Sequence, residues 1–279
     1  MSTFSDIKTG YERLGSTADY GLIYTCNAGW LDLGHMNPYN KRERFVGAAN
    51  LWRQIEQGGP DARQSFWYDY PPDFHALHYT PEVLKAMRDD KRARLPDGST
   101  GFRVTIEMDQ PFTGGTKDSF LVRHHLADPM AKSVALSIFV MASYRFEAFQ
   151  LSLEAWGIAD KLSDAIRGKS FDSGFSQEDL VSNLVGFYVG VGEMTRAEAL
   201  RLAHPVSEAT AVAIWNRDGA VGNNKNRSFT PILSENTGRP GPNGQSVDDC
   251  TGQPKTFPRE FRRIPPATYG ANFIRLHPE

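Results

Sequence analysis

Residues 128–157, "DPMAKSVALSIFVMASYRFEAFQLSLEAWG", are apolar on almost every face of a helix. A helix without a polar side has to be covered on all sides. The rest of the chain must therefore fold around it, and it is expected to be the central buried helix. At 279 residues and 40% hydrophobic content, the chain is long enough to bury a real core.

The surrounding segments supply helices and a few strands. "YGLIYTC" (20–26) has the aromatic and β-branched content of a buried strand. Residues 41–57 place Phe45, Ala48, Ala49, Trp52 and Ile55 at helical spacing before "GGP". Pro81 suits the first position of a short helix over 81–93. The aromatic stretch 64–79, broken by Pro71 and Pro72, reads as an ordered loop.

Residues 101–108 and 119–126 read as two strands joined by a long loop, "DQPFTGGTKD", a flap or a flexible turn. Ser176 with Asp179, and Thr195 with Glu198, stand at capping-box spacing and open two further helices; "SEATAVAIWNR" is one more. After Arg217, Pro, Gly and Asn accumulate, and about half of the 17 prolines lie there. The expected class is α+β and helix-rich, with a small antiparallel sheet. Residues 1–217 would form one globular domain, and 218–279 an irregular segment wrapping it.

A formal charge of −2 shows no basic excess, so no nucleic-acid partner is expected. No apolar run approaches the roughly 18 residues a membrane helix needs, so no membrane span is expected. The opening twenty residues lack a basic region followed by an apolar one. The default location is the cytoplasm, with signal-independent export as the other reading. Cys26 and Cys250 are the two cysteines. They exclude a zinc site of several thiolates, so any metal site must come from His, Asp and Glu. They could also form one long-loop disulfide.

Three constellations carry candidate chemistry. If a helix begins near Cys26, its N-terminus would favour a thiolate, as papain-like and NlpC/P60-like hydrolases present theirs. His35, or His124 or His125 in "LVRHHLAD", would then be the base, with Asp32 or Glu147 orienting it. The bland reading makes Cys26 a buried small hydrophobe at a strand end. The second constellation is Asp32 and His35, which share a face on a helix and separate on a strand. The third is Glu147, with Glu154 two turns on and Arg145 nearby. On so apolar a helix a carboxylate is costly unless paired or ligating. Glu147 would either pair with an arginine or meet Asp32 and His35 in one polar pocket. His75 and His78 have ligand-compatible spacing, but their aromatic setting favours packing.

"YGLIYTCNAGWLDLGH" and "FSQEDLVSNLVGFY" together resemble a bacterial family known as domain of unknown function 4056. The pattern covers roughly residues 11–36 and 137–190. It picks out Cys26, Gly29, Trp30, Asp32, Gly34, His35, Glu147, Ser176, Glu178, Asp179, Ser182 and Asn183. Phe146 stands where the pattern has a His, and "MNPYN" follows His35 where the pattern continues helically. The resemblance implies related architecture, a polar site shared by those residues, and a helix after Cys26; it implies no reaction.

The leading expectation is a cysteine-dependent amide or ester hydrolase, cell-wall peptide hydrolysis included, with Cys26 as nucleophile, a His base and no cofactor. Trp30, Glu178, Asp179, Ser182 and Asn183 would form a substrate or structural polar site. The second expectation is a metal-dependent hydrolase holding a divalent metal such as zinc on Asp32, His35 and Glu147. The third is a non-enzymatic protein, a secreted effector for example, that binds a protein partner through its C-terminal segment. For an enzyme, the substrate would be a small peptide or a cell-envelope component.

Overall fold

The computed structural model describes residues 2–15, 20–38, 46–58, 80–90, 93–110, 114–155, 175–235, 237–252 and 255–276. The fold is α+β: helices with small antiparallel sheets. The chain forms two compact units, each discontinuous in sequence. The first joins Met1–Pro38 to Ser143–Arg263, and the second joins Tyr39–Ala142 to Ile264–Glu279. Residues 218–263 thus belong to the first unit and 264–279 to the second, with no change of unit at Arg217. His75 and His78 lie outside the described residues, as do 41–45 and the whole aromatic loop 64–79.

In the first unit, α1 (Phe4–Arg13) precedes a hairpin of β1 (Leu22–Thr25) and β2 (Gly29–Asp32). The helix expected from Cys26 is not there. Cys26, Asn27 and Ala28 form a three-residue loop, closed by Gly29 at φ 65°. A left-handed residue after a short loop is a hairpin signature, and glycine takes it without a Cβ penalty. The Thr25 hydroxyl donates to the Gly29 carbonyl (2.9 Å) and accepts from the Ala28 N–H (3.1 Å).

The loop also caps another helix. Cys26 N–H donates to His204 O (2.9 Å), and Asn27 uses its N–H on Ala203 O and its amide on Leu202 O, both at 3.0 Å. These carbonyls end α6 (Arg196–Ala203), where no intrahelical donor remains.

Helix α4 (Asp128–Ala155) is 28 residues long; its part from Ser143 belongs to the first unit and the part before it to the second. Helix α5 (Asp179–Gly190) is buried at all twelve positions. The capping box expected at Thr195 and Glu198 opens α6. α7 (Glu208–Asp218) starts at Ser207, whose N–H donates to Asp249 Oδ2 at 3.2 Å. A short hairpin, β5 (Gly238–Pro240) with β6 (Ser246–Asp248), leads to Cys250. Cys26 and Cys250 are joined by a disulfide, Cα to Cα 5.9 Å, across 224 residues of sequence. They sit in a core with Ile7, Leu22, Tyr24, Trp30, Val206 and Ile214.

The second unit holds α2 (Ala48–Glu56), α3 (Pro81–Asp90) and a three-stranded sheet. Its order is β3 (Gly101–Gln110), β4 (Gly114–Arg123), β7 (Phe273–Leu276). The expected flap between β3 and β4 is mostly ladder, paired as far as Gln110 with Gly114. Gln54 of α2 lies along β3. Its amide donates to Thr105 O (2.8 Å) and accepts from Thr105 N–H (2.9 Å), so part of this edge is closed. Strand β7 completes the other side of β4, and Arg275 meets the buried Asp118 there at 2.8 Å.

Candidate functional site

The site grows from the end of the β1–β2 hairpin. Asp32, the last residue of β2, begins a single helical turn, with Met36 N–H donating to its carbonyl at 2.9 Å. Its side chain behaves as an N-cap. Oδ1 accepts from Gly34 N–H (2.6 Å) and His35 N–H (3.2 Å), and Oδ2 accepts from the Ser2 hydroxyl (3.2 Å). Asp32 therefore binds main chain and fixes the turn that presents His35.

The His35 ring meets Asp179 instead, Nδ1 to Oδ1 at 3.2 Å. Asp179 opens α5, and its Oδ2 accepts from Ser176 N–H at 3.0 Å. That is one half of the capping box the sequence announced; the other carboxylate oxygen faces the His35 ring. Two contacts set the spacing of hairpin and helix. The Ser182 hydroxyl, one turn into α5, donates to Glu178 O (2.7 Å) and accepts from Asp32 N–H (2.9 Å). A Cβ on Gly186 would lie 2.7 Å from Met36 O and 3.1 Å from His35 O, so only glycine lets the helix pack onto this turn.

Glu147 arrives from α4, fully buried. Its Oε2 accepts from Phe175 N–H at 3.0 Å. Its Oε1 is buried and has no hydrogen-bond partner among the described residues. Phe175 holds φ 58°, a strained conformation for an aromatic residue, and Asn226 N–H anchors its carbonyl at 2.8 Å. Donor atoms of His35, Glu147 and Asp179 all lie within 4.8 Å of one another.

Protons report how acidic this pocket is. Burial works against a charged His35, but the Asp179 charge and hydrogen bond, with Asp32 and Glu147 behind them, outweigh it and hold its pKa at about 10. Burial, then the Asp179 charge, lifts the Glu147 carboxyl to about 8 against the pull of His35. Glu178 is also raised, by burial first and Asp179 second, and its Oε2 is buried without a hydrogen-bond partner among the described residues. Three carboxylates, Asp179, Asp32 and Glu147, thus act on one imidazole, and Glu178 lies close to Asp179 and Asp32.

The group could hold a metal ion. Two donors bound to one ion at about 2.0–2.2 Å lie roughly 3 to 3.5 Å apart, which matches His35 and Asp179. The orphaned oxygen of Glu147 offers the third bond. One imidazole nitrogen and two carboxylates suit zinc, manganese or iron. Asp179, expected as a helix cap and a member of the polar site, stands where the metal reading expects Asp32.

Cys26 is excluded as a nucleophile in this state. Its sulfur is bonded to Cys250, and the residue is 1% exposed; a disulfide sulfur carries no thiolate. Trp30 is core, edge-on to Tyr24 (5.1 Å) and Trp215 (5.9 Å). Asn183 is buried on α5. His124 and His125 follow β4 in the second unit, and Cys26 lies in the first. They line a cleft of about 290 Å³ with Glu56, Phe102 and Arg123. Among the described residues, no helix is long and apolar enough to cross a membrane. Comparison with protein-family models, with curated proteins and with solved structures finds no match to this chain.

Proposed function

We propose that the first unit carries a divalent-metal centre on His35, Glu147 and Asp179, and that the protein is a metal-dependent hydrolase of amide or ester bonds. The observation that carries this reading is the Glu147 carboxylate. It is fully buried, aimed at His35 and Asp179, and left with one oxygen unpartnered among the described residues. An acid in that position is costly unless a cation or a proton completes it.

Three protein ligands, rather than the four of a structural zinc site, leave room for another group. The side chain of His35 is 33% exposed, so one edge of the cluster reaches solvent. A divalent ion bound there supplies a Lewis acid that acidifies water and polarises a carbonyl oxygen. The chain's own residues do the rest. Phe175 and Ser176 hold the two carboxylates by their N–H groups, Asp32 orients the His35 turn, and Ser182 sets the distance between turn and helix. Glu178, buried next to Asp179, has its carboxyl raised by burial and by the Asp179 charge. The disulfide favours export to an oxidising compartment over the cytoplasmic expectation, where a cell-envelope peptide is a fitting substrate.

Protein purified without chelator tests the reading by elemental analysis. The expected result is one zinc, manganese or iron per chain, lost in His35→Ala, Glu147→Gln and Asp179→Asn, with metal-dependent cleavage of peptide or ester substrates. No bound metal, together with no thermal shift on adding these ions, would overturn it.

A further inference from the structure

We infer that Arg227 is the anion-recognition residue of this site, and that the substrate carries an oxyanion, carboxylate or phosphate, beside the bond held at the centre. This rests on the metal-centre reading and adds a substrate class to it.

Phe175 links the two places. Its N–H binds Glu147 Oε2 at 3.0 Å, and its buried ring lies under the Arg227 guanidinium, 5.2 Å from carbon to ring centroid. On another side of that ring stands Tyr144, centroid to centroid 4.9 Å, three residues before Glu147 on α4 and 42% exposed. Residues three apart share a helix face, so Tyr144 and Glu147 frame the same edge.

Arg227 itself is exposed and makes no hydrogen bond or ion pair among the described residues. Its backbone position is fixed by the residue before it. Asn226 is buried, donates through its amide to Thr230 O (3.0 Å), and accepts from Ser228 N–H (3.0 Å). A guanidinium held over an aromatic face keeps N–H groups free for solvent, and its planar fork suits bidentate binding of carboxylate or phosphate. The site proper is built of carboxylates, so an anionic substrate needs a positive group at its rim, and Arg227 is placed to be one.

The test is calorimetric titration with inorganic phosphate and with acetate, on protein with and without added zinc. Wild type, Arg227→Ala and Arg227→Lys are compared, with thermal melts as a folding control. The expected result is binding of one or both anions, weakened about tenfold or more in Arg227→Ala and less in Arg227→Lys, which keeps charge but loses the planar fork. Preference between the two anions identifies the substrate's group. Equal binding by wild type and Arg227→Ala, or no anion binding by wild type, overturns the inference. Arg227-dependent binding by a protein that takes up no zinc overturns the metal centre alone.

Discussion

His35 and His124 are both partly buried imidazoles, and their surroundings move them in opposite directions. At His35 burial is overcome by Asp179, Asp32 and Glu147, so the ring keeps its proton to about pH 10. At His124 burial prevails, the neighbouring His125 adds repulsion, and the pKa falls despite a backbone hydrogen bond at Gly101. Burial sets the cost of charge in both places; the neighbours decide whether charge is kept. A pocket that already gathers cations as protons fits a divalent ion. Among the described residues, the histidine cleft, lined also by Glu56 and Arg123, gathers no such group of donors.

The largest break in this comparison comes from the covalent tie. Replacing Cys26 and Cys250 together by Ala should cost the first unit about 2–5 kcal/mol in denaturant unfolding. Native protein should show no thiol reactive toward Ellman's reagent; a titrating Cys26 would return the thiol chemistry to consideration.

Next comes ligand loss. Glu147→Gln should weaken zinc binding at least about 100-fold in competition with a chromogenic chelator. His124→Ala and His125→Ala should leave zinc affinity unchanged. Equal losses at both places would erase the distinction between the two histidine sites.

Ser182→Ala should weaken zinc about tenfold, since it releases the spacing of His35 and Asp179 without removing a donor. It also leaves the Asp32 N–H without its partner, worth about 1–3 kcal/mol of stability.

A pH series sharpens the comparison most directly. In metal-free protein, His35 and Glu147 hold protons that the unfolded chain has released by neutral pH. Stability from His35 should be complete below about pH 6.5 and fall as pH rises toward 10; Glu147 acts in the same direction from about 4.5 to 8. His124 has the opposite sign: its contribution is present above about pH 6.5 and falls as pH drops through its lowered value. Imidazole NMR titrations read both groups, and added zinc should abolish the His35 titration.

Much of this architecture was written locally. The apolar run from Asp128 forms the long helix its composition predicts, although Met130 and Tyr144 on it are exposed. Alternation and β-branched content marked β3 and β4, although Gly114 and Gly115 hid how far their ladder runs. His35 and Glu147 stood out because an imidazole in a polar cluster and a carboxylate on an apolar helix each need a partner. Asp32 and Asp179 were read in exchanged roles. Each is an acid at the start of a helical turn, and whether such a carboxylate caps main chain or faces a side chain depends on what packs opposite it.

The element types, the capping at Thr195 and the residues able to carry chemistry are local properties, set by periodicity and side-chain functional groups within a few positions. Packing between distant segments puts Cys26 in a hairpin loop, bonded to a partner 224 residues away. It also brings His35 to Asp179 and Glu147 rather than to a thiol. Those outcomes depend on Gly29, on the carbonyls ending α6 and on the close approach at Gly186, contacts between segments that no local pattern encodes.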